Sequence, residues 1–316
     1  TQGWKRPVYF ASTVDSRMYM PYSPYMQNTG MAYEITPLVT QSYGADPVSN
    51  TVKMYDNVMN KFKWGGLDKA EPGSIYLDET CRRMVGTTRS MLIGLAGDLA
   101  NEADTLLMGK GNAAQAASRI DKALKVLDLM QAKLPEKACP YSFVLFREQY
   151  LGGKMAMAQV YEQLSKSAKR DDLHKKAVEL MAQEVDYYAQ YLVFIQSLEQ
   201  GKAVCEMDQR VADVYFPQVL TYYRQLDPKG FAKIMAKVKG KGVNTSEVQL
   251  SIERLNAAQG QQAHMEAMMQ RAAAQDTTSP QGGSNDGGGG DPRQSEAAMM
   301  ALQGLAGGAQ DEERNQ

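Results

Sequence analysis

The segment DETCRRMVGTTRSMLIGLAGDLANEADTLLMGKGNAAQAASRIDKALKVLDLMQAKLP, residues 78–135, carries two helical patterns divided by a turn. Asp78 is placed to cap the first helix and Glu79 suits the positive end of its dipole. Met84, Met91, Leu92, Leu95 and Leu99 then recur at helical spacing, so one helix is expected from Asp78 to about Ala103. Gly109-Lys-Gly-Asn112 turns the chain. A second helix follows from Ala113 to Leu134, with Ile120, Leu124, Leu127 and either Met130 or Gln131 along one face, and Pro135 stops it.

Downstream, Tyr141 to Tyr150 reads as a short helical piece, interrupted by Gly152-Gly153, because two interior glycines cost roughly 2 kcal/mol relative to alanines. Lys154 to Ser165 pairs with a long helix opened by Asp171-Asp172, which turns Leu173, Ala177, Leu180, Tyr188, Leu192 and Ile195 inward and ends near Gly201. Val204 to Leu226 is helical again, with a kink or break expected at Pro217. Turns at Pro228-Lys-Gly230 and 239–242 flank one short helix. The last helix opens on an Asn244/Glu247 capping box and fades through Met265, Met268 and Met269. Residues 276–316, with the run TTSPQGGSNDGGGGDP, bury too little apolar area to offset chain entropy and are expected to be a disordered tail.

DKALKVL at 121–127 matches KKAVELM at 175–181, an offset of 54 residues. Ala123, Leu127 and Pro135 are spaced like the second helix of a tetratricopeptide (TPR) repeat, and Ala158 with Tyr161 like the first. Small residues there let two antiparallel helices approach closely. The departures are a spacing of 54 in place of 34 and the absence of the usual Trp, Leu and Gly.

Residues 1–76 differ in texture: eight of the 17 tyrosines fall there, with five of the 12 prolines before position 50. KRPVYFAST at 5–13 and MAYEITPLV at 31–39 each have the content of a short strand. A helix is expected from Val52 to Phe62, capped by Ser49 or Asn50 and stopped by WGG at 64–66. The fold class is therefore mainly α: TPR-like antiparallel helix pairs over 77–242, a small two-stranded, Tyr-rich α/β layer over 1–76, a C-terminal helix over 243–275 and the disordered tail.

Thirty-five Lys and Arg against 36 Asp and Glu leave a net charge of -1, which supplies no field toward nucleic acid, so no nucleic-acid partner is expected. No apolar run approaches the ~18 residues of a membrane span, the longest being Met91 to Ala96. The opening Thr1-Gln2-Gly3-Trp4 lacks an initiator Met and reads as the result of processing or of the choice of fragment. Cys81, Cys139 and Cys205 lie about 60 residues apart and read as small buried apolar groups, with one disulfide plus a free thiol as the alternative. His174 and His264 have no second ligand at metal spacing, and neither a G-x-S-x-G nor a phosphate loop occurs. No metal, cofactor or catalytic residue is expected. Asp78-Glu79 and Asp171-Asp172 are explained by helix starts. The basic runs at 166–170, 175–176 and 233–241 are interleaved with acids and read as solvated faces. Met18, Met20, Met26 and Met31 cluster with tyrosines, which suits packing of a small β layer ahead of a peptide or sugar groove.

RPVYFAST at 6–13, Tyr25 followed by GMAYEITP at 30–37, KMYDNVMNKFKWGG at 53–66 and IYLDETCRRM at 75–84 occur in that order. Together they resemble the region after the last membrane span in Bacteroidetes-type membrane proteins of domain-of-unknown-function family 2723, which are similar to protein O-mannosyltransferases. The resemblance implies a non-catalytic, extracytoplasmic (periplasmic) domain of a glycosyltransferase-like membrane protein. Its own N-terminal membrane part would lie before Thr1, and its partner would be a protein or glycoprotein acceptor or a partner subunit. The matching positions are Tyr25, Gly30, Tyr33, Tyr55, Asp56, Asn57, Lys61, Phe62, Trp64 and Gly65. Asp56 or Asn57 would bond nearby backbone, Phe62 and Trp64 would anchor a helix end, and Gly65 would take a positive φ. The eight side chains other than the glycines then form either a structural joint or a binding surface. A free-standing TPR-like adaptor is the alternative, and a hydrolase using Tyr and acidic groups of the first 76 residues is the third reading.

Overall fold

A computed structural model describes residues 6–43, 47–71, 73–109, 112–141, 152–198, 206–246, 248–254, 256–257, 260 and 268. The chain divides into two compact units, Thr1–Gln259 and Gly260–Gln316, and the elements from Tyr9 to Gly240 belong to the first.

The N-terminal layer is a four-stranded sheet of order β1-β3-β2-β4, built from β1 (Tyr9–Ala11), β2 (Met26–Asn28), β3 (Ala32–Ile35) and β4 (Val48–Ser49). β3 pairs antiparallel with β1 (Phe10 opposite Tyr33) and with β2 (Gln27 opposite Glu34), and β4 lies parallel to β2. Two strands were expected. β2 and β4 escape a reading by alternation because they hold three and two residues, too few for a period of two to show. A short α1 (Ser16–Tyr19) and a 3₁₀ turn, Met20–Tyr25, join β1 to β2.

α2 (Thr51–Asp56) runs on as a π-helical turn, Asn57–Lys61, before Phe62 becomes extended. Asn50 caps it by accepting from the Lys53 N–H. The helix thus ends two residues ahead of Trp64, and the positive φ falls on Gly66 (φ 81°), not on Gly65.

The helical body begins with α3 (Glu79–Met108) and α4 (Ala113–Lys133). Asp78 accepts from the Cys81 N–H at 2.7 Å, as its position at the helix start predicts. Arg89, early in α3, reaches Leu134 at the end of α4, and Glu102, late in α3, meets Arg119 early in α4, so the pair is antiparallel. Leu92, Leu95 and Leu99 are buried against Ala123, Val126 and Leu127, each leucine contributing about 1.5–3 kcal/mol. Met84, expected on that stripe, is half-exposed, because α3 overhangs its partner at its first turn.

α5 (Gly152–Ala168) and α6 (Asp171–Ser197) repeat the arrangement, with Glu162 meeting His174 at one end and Lys154 facing Glu184 at the other. Gly152 and Gly153 do not interrupt a helix; they begin one. A Cβ on Gly153 would stand 3.1 Å from the Tyr141 ring, which explains why a side chain is missing there. α5 lies beside α3, where Gln163 donates to Asn101 and Asp104, so helix pairs stack laterally in TPR-like fashion. Ala123, Ala158 and Tyr161 are fully buried at these contacts.

α7 (Glu206–Leu226) packs on α6 through Phe216, stacked 5.9 Å from Tyr188, and it continues across Pro217 without the expected break. Interior proline costs about 3 kcal/mol. Burial of Phe216, Val219, Leu220 and Tyr223 on the same stretch outweighs that. α8 (Phe231–Gly240) is held to α6 by Asp186, which both Lys237 and Lys241 approach at 2.7 Å; their hydrogen bonds hold its carboxyl at about 2. Helical residues recur at 248–254, after Val248 N–H bonds Asn244.

The readings of Tyr141–Tyr150 as a helical piece, of Gly201 as a stop, of Glu247 as a capping partner and of 276–316 as a disordered tail fall, apart from Tyr141, outside the described residues, as does Cys205. Of the other two cysteines, Cys139 is buried and Cys81 exposed, so the reading of all three as buried apolar groups fails at the start of α3.

Candidate functional site

The eight side chains singled out in the sequence divide between a joint and its surroundings. Asn57 donates to the Thr29 carbonyl at 2.9 Å, tying the π-turn to the loop between β2 and β3. Lys61 bridges back to Asp56 at 2.6 Å and to Asn57 at 3.2 Å, and its hydrogen bond holds the Asp56 carboxyl below the usual carboxylate range. Asp56 therefore bonds side chains, and of the pair it is Asn57 that bonds backbone. Phe62 packs tilted against Trp64 at 6.2 Å and covers Gly30, where φ is 126° and a Cβ would press to 3.3 Å from the Phe62 ring. Only glycine suits both demands.

Tyr33, Tyr25 and Tyr55 do not join that knot. Tyr33 meets the edge of Tyr19 at 5.5 Å within the sheet layer. Tyr55 receives the Lys122 ammonium 5.2 Å above its ring, binding α2 to α4. Tyr25 is exposed, and its carbonyl is engaged by Thr36. Lys53 to Glu34 and Thr51 to Glu102, both at 2.5 Å, complete the seam between layer and helices. Most of these contacts hold one element to another; the Lys61 contacts stay within α2 and its π-turn, and Thr51 and Glu102 also line a cleft of about 480 Å³ between β4, α3 and α4.

A different face of the layer is exposed and apolar. Thr36 N–H bonds Tyr25, Thr40 N–H bonds Pro24, and the Gln41 side chain bonds Ser23, fastening loop 36–41 onto the 3₁₀ turn. That arrangement sets Leu38 (70% exposed) and Val39 (67%) beside Tyr25 and, one turn back, Tyr22, whose ring stacks on Phe10. Met18 and Tyr43 extend the exposed set. Among the described residues, as many large apolar side chains are exposed in positions 1–54 as in the whole remainder of the chain. Met26, by contrast, is fully buried, so the Met and Tyr cluster serves both a core and a surface.

A second locale, absent from the sequence reading, lies where α4 ends and α5 begins. A cleft of about 380 Å³ is lined by Gln131, Glu136, Lys137, Tyr141, Lys154 and Lys176, with Glu179 on its α6 side. Lys154 is almost wholly buried; its ammonium stands 2.8 Å from the half-exposed Glu136 and 4.0 Å from the buried Glu184. Burial raises the Glu184 carboxyl to about 7, against the opposing pull of Lys154. Behind Tyr141, the Arg89 guanidinium lies 4.2 Å over the ring and donates to the Leu134 and Cys139 carbonyls at 2.9 and 2.6 Å. Burial pushes the Tyr141 hydroxyl up. The available signal was positional: Arg89 is three residues before Leu92, Lys154 three before Met157 and Glu184 three after Met181, each a charge on an apolar stripe.

The basic runs are paired with acids: Lys166 with Glu162, Arg170 with Asp172, Lys176 with Asp128. Among the described residues no three His, Cys, Asp or Glu side chains gather at metal-binding distance, and no helix is long and apolar enough to cross a membrane.

A family model described as TMEM260-associated domain 2 matches residues 1–54. No curated protein and no solved structure matches the chain. The match corrects the family expected from the motifs: it is to TMEM260-associated domain 2, not to domain-of-unknown-function family 2723. The stretch 55–66, on which that resemblance leaned most, falls outside the matched span.

Proposed function

We propose that the chain is a non-catalytic docking module on the extracytoplasmic side of a glycosyltransferase-like membrane protein, where its N-terminal layer seats on a TMEM260-type partner chain. The observation that carries this is a coincidence of position: the 54 residues that match a TMEM260-associated domain are those that expose the apolar face of Tyr22, Tyr25, Leu38 and Val39. An apolar patch of that kind on a small sheet is costly in water and is relieved by a partner surface. Tyr supplies contact area with few rotamers to freeze. The helix pairs then hold the layer in place and present their own surface to an acceptor protein or a partner subunit. The free-standing adaptor reading places binding in a groove between helices, whereas the apolar exposure is concentrated in the layer.

Co-purification of the chain with a TMEM260-type membrane protein in detergent tests the docking face. Tyr22→Asp combined with Leu38→Asp is expected to weaken the complex by about thirtyfold, the scale of a lost interface anchor. Phe194→Asp, on an exposed residue of α6, is expected to leave it unchanged. Equal binding by all three proteins contradicts the proposal. Placement is read separately from Cys81, which is exposed. A membrane-impermeant maleimide applied to intact cells, or to spheroplasts where an outer membrane is present, should label Cys81 without lysis, and labelling only after lysis would put the chain on the other side.

A further inference from the structure

A buried ammonium needs an anion beside it, and the chain offers Lys154 two. The buried one, Glu184, stands off at 4.0 Å, and its burial keeps the proton on up to about pH 7. The one in contact, Glu136 at 2.8 Å, sits on the connector after α4 and is about half exposed, so it can leave for water at little cost. The contact is made at a cleft of about 380 Å³, whose lining adds two more cations, Lys137 and Lys176, and the wall of Tyr141. The Lys176 ammonium stands 3.8 Å from Asp128 and 4.5 Å over the Tyr161 ring. Behind that wall the fully buried Arg89 contributes a further positive charge, with Nε and Nη1 lacking hydrogen-bond partners among the described residues. Glu179, one turn from Lys176 on α6, adds a carboxylate to the lining.

We propose that this cleft is an oxyanion site, in which a small ligand bearing a carboxylate or a phosphate replaces the Glu136 carboxylate on the Lys154 ammonium. Glu136 occupies the position a ligand oxygen would take and acts as an internal competitor. The cleft admits a group the size of phosphate or a short dicarboxylate, and Tyr141 supplies a neutral wall beside the charge; the Gln131 amide in the lining already donates to the Tyr161 hydroxyl.

The competitor makes the site testable without knowledge of the natural ligand. Inorganic phosphate and glutarate are titrated separately, by calorimetry, into the 316-residue chain and into its Glu136→Gln and Lys154→Met variants. Removing a competitor that holds the site about nine-tenths of the time tightens binding about tenfold, so Glu136→Gln should bind at least one probe about ten times more tightly than the parent. Lys154→Met should lose that binding. Glu136 lies at the surface, so its variant folds and the test stands even if Lys154→Met does not. Tightening toward phosphate alone marks a phosphorylated ligand, and toward glutarate alone a carboxylate. The site is overturned if Glu136→Gln binds neither probe at millimolar concentration, binds no tighter than the parent, or binds unchanged once Lys154 is replaced.

Discussion

Arg89→Ala should destabilise the chain by about 3–5 kcal/mol, measured as a drop in the urea midpoint at unchanged slope. The side chain is 2% exposed and reaches the Leu134 and Cys139 carbonyls with one nitrogen, so truncation strands two acceptors at the end of α4. It also removes the cation above Tyr141 and opens a void. Against this stands relief of a buried charge. Arg89→Met separates the two effects because it keeps much of the volume while removing donor and charge together. A loss of about 2 kcal/mol in Arg89→Met means the capping bonds outweigh the desolvation cost. A gain in stability would show that the buried cation is a net burden and that its capping role has been overstated.

The second large effect is a pH dependence that belongs to one residue. Burial raises the Glu184 carboxyl from 4.5 to about 7, so the native chain holds this proton more tightly than the unfolded one. Stability from Glu184 is therefore full below about pH 4.5, falls as pH rises toward 7, and stays low above it. A shift of this size corresponds to about 3 kcal/mol. Glu184→Gln carries the neutral shape at all pH values. The two proteins should match near pH 4, and the variant should be the more stable by about 3 kcal/mol at pH 8. Other titrating groups are common to both and drop out of the difference; Asp186, at about 2, is charged throughout the window. Parallel stability curves from about pH 5 to 8 would show that Glu184 is ionised in the native chain from the start.

The long helices were legible because each sustains an apolar stripe over several turns, as Leu92, Leu95 and Leu99 do, and because Asp78 and Pro135 bound the first pair. β2 and β4 were not, since two or three residues carry no period. Pro217 was read by its local cost, which the packing of Phe216 and Leu220 on α6 overrides. Gly152-Gly153 reads as a defect in the sequence alone, whereas Tyr141, twelve residues before Gly153, sets the need for a missing side chain. Asn57 and Phe62 are visible in the sequence within a conspicuous group, but their partners, Thr29 and Gly30, are joined to them by tertiary contacts alone. Arg89, Lys154 and Glu184 sit on stripes where a charge is out of place. What the charges face depends on the packing of three helices and a connector.

Whether the N-terminal layer is a docking face is read most directly by amide hydrogen exchange on the chain alone and in complex with a TMEM260-type membrane protein. Slowed exchange in residues 18–25 and 36–43, with α4, α6 and α8 unchanged, is the expected footprint. Protection confined to the helices, with the layer exchanging as fast as in the free chain, would contradict it.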